Sequence, residues 1–380
     1  METIIRLPSR INSDNGKQVE ADIYKQITKE TDSIILDAED LKYISSVGLR
    51  IILILKKTYS KTSIINCDPN VYEIFTISGF IEMMDIEKAF REISIDGCKL
   101  IGSGFFGNVY KLDDETIVKV YKYLGCLDMI KAEQQLAKKA FVMGIPTAIP
   151  FDIVKVGNLY GTVFELLNAV PIVDLIDDDN SIKEFCKKSV DVLKQIHSTH
   201  VEPEQFPRKI DQYIQQVEEC KECLPDEVCK KLLELLKSVP SVDTLIHSDF
   251  HIKNIMMQND ELLLIDMDKL STGQPIFEFG AIYATYIGFA LADPNNTMEF
   301  LGISIDKSKK IFDTTFDLYY MDKTEEEKAE ILKKIELIAH IVVVHIQSKY
   351  GDHENELINK AVANSAQQIA RLVDQIDTLN

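Results

Sequence analysis

About two thirds of the way along the chain, Leu245-Ile246 runs into His247-Ser248-Asp249-Phe250-His251-Ile252-Lys253-Asn254, and soon afterwards Leu262-Leu263-Leu264-Ile265 runs into Asp266-Met267-Asp268. Acids follow apolar strands twice, where burial penalises a charge that has no use. The order H-x-D-x-x-x-x-N and then I-D-x-D brings a carboxylate, an amide and a second carboxylate into one compact unit. Phosphoryl transfer from ATP asks little covalent chemistry of a protein. It needs a carboxylate to orient and deprotonate the attacking hydroxyl, and oxygen ligands that hold Mg2+ on the phosphates. Asp249 is therefore the expected catalytic base, Asn254 and Asp266 the expected metal ligands, and His247 a scaffold whose ring bonds the loop backbone. For all of these merely to cap turns, six polar positions would have to fall in this order by chance.

Upstream, Gly102-Ser103-Gly104-Phe105-Phe106-Gly107-Asn108-Val109 has G-x-G-x-x-G-x-V spacing. Such a run opens a helix in a dinucleotide fold, but here it passes into β-branched and aromatic residues, a turn at Asp113-Asp114 and the strand Thr116 to Tyr121. That hairpin order is the one laid over nucleotide phosphates, which marks Gly102, Ser103, Gly104, Gly107 and Val109 as expected cofactor contacts. Lys119 sits mid-strand among apolar neighbours and needs an anion. A helical pattern follows from Leu127 to Met143, with Ile130, Ala137, Ala140 and Phe141 on its expected buried face. Glu133 lies on that face and is the expected partner of Lys119, and Gly144 and Pro146 end the helix.

The chain has 380 residues, enough for two or three cores. Its net charge of −19 argues against binding nucleic-acid phosphates or anionic membranes. Seven scattered cysteines suit reduced thiols and a cytoplasmic setting; Cys220, Cys223 and Cys229 read as thiols in a helical hairpin rather than as a zinc site. The longest apolar stretch, Ala281 to Ala292, falls short of the roughly 20 residues of a membrane span.

In the first ninety residues the strand-like runs Ser33–Leu36 and Thr62–Asn66 alternate with helical patterns. The helix expected over Val47 to Lys57 carries Leu49, Ile52, Leu53 and Lys56 at helical spacing, with Ser45 and Ser46 at its start. A hydroxyl there is a natural N-cap, and the same place tolerates an added phosphate beside free N–H groups. Leu36-Asp37, Tyr43-Ile44-Ser45-Ser46-Val47-Gly48-Leu49-Arg50, Val71 to Phe75 and Ser78-Gly79-Phe80 together resemble the STAS family of anti-sigma-factor antagonists over about residues 1–92. The resemblance implies a mixed sheet with helices packed on it, an anti-sigma-type protein partner, and Ser46 as candidate phosphoacceptor of a partner-switching kinase. Ser45 stands where that family often has Asp.

From about residue 95 the chain resembles the aminoglycoside phosphotransferase and choline kinase branch of the protein-kinase-like fold, on His-Ser-Asp-Phe-His-Ile-Lys-Asn and Ile-Asp-Met-Asp. Ser248 replaces the branch's usual glycine, and Glu278 stands where it generally has Asp. The resemblance implies that Thr162 to Leu167 is the hinge, where backbone groups of Glu165 and Leu167 read adenine, and that Val192 to Ser198 is the helix end common in the branch.

The expected architecture is an α/β STAS-like domain at 1–93 and an α+β bilobal kinase-like domain at 94–380, with a β-rich N-lobe at about 94–168 and a helical C-lobe at about 169–380. Within the C-lobe, Leu332, Ile335, Ile338, Ala339, Val342 and Val343 form an expected stripe. The expected activity is ATP- and Mg2+-dependent phosphorylation of a small-molecule hydroxyl, regulated through the STAS domain. The acidic C-lobe suits a cationic acceptor, although a charge run is more commonly a solvated face. A protein serine kinase acting on Ser46 in cis or trans, and a silent signalling scaffold, are the alternatives. The catalytic-loop type favours the small molecule, and the intact set Lys119, Glu133, Asp249, Asn254 and Asp266 weighs against the scaffold.

Overall fold

In the computed structural model the described residues are 2–104 and 106–380; Met1 and Phe105, the latter in the glycine run, lie outside them. The chain divides into two compact units, one of residues up to Ser94 with Ile153–Asn158, the other of Ile95–Asp152 with Leu159–Asn380.

In the first unit the strands Glu2–Arg6, Ser33–Asp37, Thr62–Cys67 and Ile86–Lys88 lie side by side in chain order. Every pairing among them is parallel, so this sheet corrects the mixed one implied by resemblance. The cause is connectivity: helices Gly16–Gln26, Ser46–Thr58 and Pro69–Ile77 separate successive strands, and a helical crossover returns the chain in the same direction. Ile5, Ile34, Leu36, Ile64, Val71 and Phe75 fill the core. The helix Ser46–Thr58 buries Gly48, Ile51, Ile52 and Leu55; of the residues at helical spacing in the sequence, Ile52 is in this face and Leu49, Leu53 and Lys56 are half-buried. Gly48 sets this rotation, because a Cβ there would stand 2.6 Å from Ile44, so its backbone is pressed inward. Lys56 turns instead to the carbonyls of Ser60 and Thr62.

The second unit begins with antiparallel strands. Lys99–Ser103 pairs with Gly107–Lys111, that strand with Thr116–Tyr121, and Thr116–Tyr121 in turn with Leu159–Glu165. Gly107 allows the hairpin to close, since a Cβ there would meet the Val120 carbonyl at 2.7 Å. The helix Leu127–Val142 follows and ends at Gly144, φ +79°. There Ile145 N donates to Ala140 O and Gly144 N to Phe141 O, each at 3.0 Å, which satisfies the last carbonyls. This helix buries Ile130, Glu133, Gln134, Leu136, Ala137 and Ala140; Phe141, one step round from Ala140, is exposed, contrary to its expected place.

The remainder is mainly helical, with a few short strands. Asp179–His197, Pro275–Tyr286, Ile305–Tyr319, Glu325–Tyr350 and Glu356–Val373 enclose a core that includes Leu193, Ile196, Leu245, Phe250, Ile252, Leu264 and Phe279. From Ile335 to His345 the helix Glu325–Tyr350 is buried on nearly all sides, including Leu337, His340 and Val344, whereas Leu332 and Val342 of the expected stripe are half-buried. It packs against both Pro275–Tyr286 and Glu356–Val373, and a helix held between two others has no single wet face. No described helix is long and apolar enough to cross a membrane.

Candidate active site

The loop that carries Asp249 is built on a short antiparallel pair, Leu245–Ile246 with Ser271–Thr272. Its first turn is fastened from below. Glu278, wholly buried in the helix Pro275–Tyr286, accepts from His247 N at 2.5 Å and from Ser248 N at 3.0 Å. Burial raises the Glu278 carboxyl, but the neighbouring His197 and His247 rings and the Ser248 N–H outweigh it, so the group is held below its ordinary range. His197 Nε2 lies 3.6 Å away, and Nδ1 of the same ring meets Tyr319 Oη at 2.7 Å. Ser248 has φ +69°, the left-handed region that glycine enters freely. The turn is further tied by Ser248 Oγ to Ser271 Oγ at 3.1 Å, and Asp249 N donates to His247 Nδ1 at 3.2 Å.

Asp249 emerges from this turn with 35% of its side chain exposed. Asn254 Nδ2 donates to both its carbonyl and its carboxylate at 3.1 Å, and His251 Nε2 stands 3.5 Å from Oδ1. Burial raises the Asp249 carboxyl, but the adjacent His251 ring, the Lys269 ammonium and His247 carry it well below the carboxylate range. Asn254 lies beside Asp266 because Ile265 N donates to Asn254 O at 3.0 Å where the strands Ile255–Gln258 and Glu261–Leu264 begin and end their ladder.

Lys119 Nζ reaches Glu133 Oε1 at 2.7 Å and Asp266 Oδ2 at 3.5 Å. Burial opposes the lysine's charge, but Asp266 and Glu133 together raise it, so it stays a cation. Asp266 is raised, first by burial and then by the nearby Asp268, with Lys119 pulling the other way. Asp268 Oδ1 is buried with no hydrogen-bond partner, while Oδ2 pairs with Lys269 Nζ at 2.8 Å. No group of three or more His, Cys, Asp or Glu among the described residues is arranged to hold a metal ion on its own.

Of the nucleotide candidates, Val109 lies across the ladder from Lys119, and Gly102 across from Val109. Ser103 Oγ and Asn108 Oδ1 bond at 2.9 Å, Gly104 N donates to Gly107 O at 2.8 Å, and Lys122 Nζ donates to Gly104 O at 2.6 Å. Glu165 ends its strand with N donating to Ile149 O, and Leu167 follows, half-buried. Ser46 lies in the other unit, away from this constellation in sequence. There Ser45 is the cap, accepting from Val47 N at 3.3 Å, and Ser46 is the exposed first helical residue.

The contacts thus link Lys119, Glu133 and Asp266 in one group and Asp249 with Asn254 in another, and each of Asp266 and Asp249 lies within the field of neighbouring charges. The sequence motifs contain Glu278, Asp268 and His251 without assigning any of them a task, and Lys269 lies just beyond them. A second acid two residues after Asp266 and a buried-helix glutamate were the available signals.

The phosphotransferase enzyme family model matches residues 97–297, more than half of the chain, and the STAS domain model matches residues 2–93. A Bordetella bronchiseptica protein named as an anti-sigma factor antagonist, BtrV, is 36% identical over 80 residues, spanning 20% of this chain and 69% of the relative. Among solved structures, the ADP-bound aminoglycoside phosphotransferase APH(2'')-Ib superposes with a TM-score of 0.51 at 17% identity, over 73% of this chain and 94% of that one. Amicoumacin kinase hAmiN, in complex with AMP-PNP, Ca2+ and Ami, superposes with a TM-score of 0.51 at 12% identity, over 74% and 90%. At those identities the likeness is one of fold.

Proposed function

The chain belongs to the phosphotransferase enzyme family with a STAS domain at its N-terminal end, and from that premise we propose that it transfers the γ-phosphoryl group of ATP to a hydroxyl of a small molecule under control of the STAS domain. The observation that carries this reading is Lys119 held between Glu133 and Asp266 one strand away from the glycine hairpin. A lysine so placed is oriented to meet nucleotide phosphates, and the ADP- and AMP-PNP-bound relatives support a nucleotide there. In this reading Gly102, Ser103, Gly104, Gly107 and Val109 cover the phosphates, and Glu165 and Leu167 offer backbone groups to the base.

The donor set fits a magnesium ion. Asp268 Oδ1 is an orphaned buried carboxylate oxygen, and Asp266 is raised by the like charge beside it, so both gain from a cation. Asn254 and Asp266 would hold the ion, with Asp268 near enough to aid them, and phosphate oxygens and water would complete the shell, as magnesium prefers. When bound, the ion would offset charge developing on the phosphates. Asp249, kept ionised by His251, takes the proton of the attacking hydroxyl as its oxygen bonds to phosphorus and the bond to the ADP oxygen breaks. Glu278 holds the loop that presents Asp249.

The division into a STAS-like domain at 1–93 and a kinase-like domain at 94–380, a cytoplasmic setting and an anti-sigma-type partner for the STAS domain belong to the same proposal. Release of ADP across a panel of metabolites and aminocyclitols tests it. One or more hydroxyl acceptors should stimulate turnover, and Asp249→Asn should abolish it; full turnover in that variant would refute the assigned base. One observation favours a second reading, a protein serine kinase: Ser45 does the capping, which leaves the exposed Ser46 hydroxyl without that duty. Intact mass after incubation with Mg-ATP separates the two, because self-phosphorylation adds a phosphate that Ser46→Ala loses.

A further inference from the structure

Lys269 follows the second acid of the Ile265-Asp266-Met267-Asp268 run and has no part in the reading above. Its ammonium pairs with Asp268 Oδ2 at 2.8 Å and lies 5.6 Å from the centre of the Phe106 ring, within the glycine hairpin. Its backbone is pinned by Ser271 Oγ, which donates to Lys269 O at 3.1 Å. The same ammonium feels the charges of Asp249 and Asp266, and 42% of the side chain is exposed. It therefore stands where the hairpin tip, the base and a proposed metal ligand converge, at the open side of the site. Lys119, less exposed, is already engaged by Glu133 at 2.7 Å.

The pair with Asp268 joins sequence neighbours, and with 42% of the lysine side chain exposed it does not by itself explain a lysine in this place. A phosphoryl group in transfer spreads negative charge over its equatorial oxygens, and a mobile ammonium on a flexible stem is suited to follow it. Resting on the proposed function, we propose that Lys269 is a further catalytic residue, which leaves or shares Asp268 to donate hydrogen bonds to the transferring phosphoryl group. It forms no covalent bond and moves no proton.

The test uses the purified full chain and calorimetry with MgADP, with and without aluminium fluoride as a mimic of the group in transfer. In the native protein aluminium fluoride should tighten MgADP binding. Lys269→Met should bind MgADP alone within about threefold of native yet lose at least about tenfold of that tightening, and Lys269→Arg should restore most of it. A melting temperature close to native is expected for both variants, since the side chain is partly exposed. If Lys269→Met keeps the native tightening, or if the native protein binds MgADP and aluminium fluoride adds nothing, the inference is overturned. If the native protein binds no MgADP at all, the failure lies in the proposed function beneath it.

Discussion

Removing the Glu278 carboxylate should loosen the catalytic loop more than any change at the loop's surface. Glu278 is fully buried and accepts from two main-chain N–H groups, at 2.5 Å from His247 and 3.0 Å from Ser248. In Glu278→Ala both donors lose that acceptor in a buried place, at about 1–3 kcal/mol each, so a loss of about 2–6 kcal/mol is expected. Glu278→Gln keeps the shape and one oxygen but turns an amide N–H toward a donor, which should cost about 1–3 kcal/mol. Urea unfolding followed by circular dichroism measures both. Turnover should fall with stability, because Asp249 lies two residues beyond His247, while ATP affinity should change little, because Lys119 is fixed by other elements. If Glu278→Ala unfolds within about 0.5 kcal/mol of native and keeps native turnover, the reasoning that this carboxylate anchors the loop is refuted.

At Ser248, φ +69° carries a strain of about 1 kcal/mol that glycine would relieve, and the bond to Ser271 Oγ returns about as much. Ser248→Gly should therefore be nearly neutral in the same unfolding assay, whereas Ser248→Ala keeps the strain, loses the bond and should be about 1 kcal/mol less stable. His340 is buried against Ser365 Oγ at 3.1 Å, and burial, then repulsion from Arg371, pushes it down to about 4. The folded protein thus refuses a proton that the unfolded chain takes below about 6.5, so this contribution is whole above that pH and is lost as pH falls toward 4, by about 2–3 kcal/mol. His340→Gln should show a flatter fall in unfolding free energy over that window; an unchanged slope would count against it.

What could be read from the residues was local. The H-x-D-x-x-x-x-N and I-D-x-D runs sit at strand ends, where polarity against an apolar background stands out, and a mid-strand lysine advertises its need for an anion. The pairing of Lys119 with Glu133 was legible because a helix follows the strand directly. Glu278 was not, because its contacts are with N–H groups 30 and 31 residues away, and main-chain donors leave no mark in a sequence. Rotation of a helix was equally hidden. Gly48, silent in an apolar count, turns the helix Ser46–Thr58 by pressing its backbone on Ile44 and Ile11. The helix Glu325–Tyr350 looked striped but is packed on both sides, which only the tertiary arrangement reveals.

The claim that a divalent ion and a nucleotide share the site around Asp266 is tested most directly by calorimetric titration of the full chain with ATP, with and without Mg2+, in the native protein and in Asp266→Asn. The account predicts measurable binding with Mg2+ that weakens at least about tenfold when either the ion or the carboxylate is removed. Binding that is absent under every condition, or indifferent to both Mg2+ and Asp266, would contradict it.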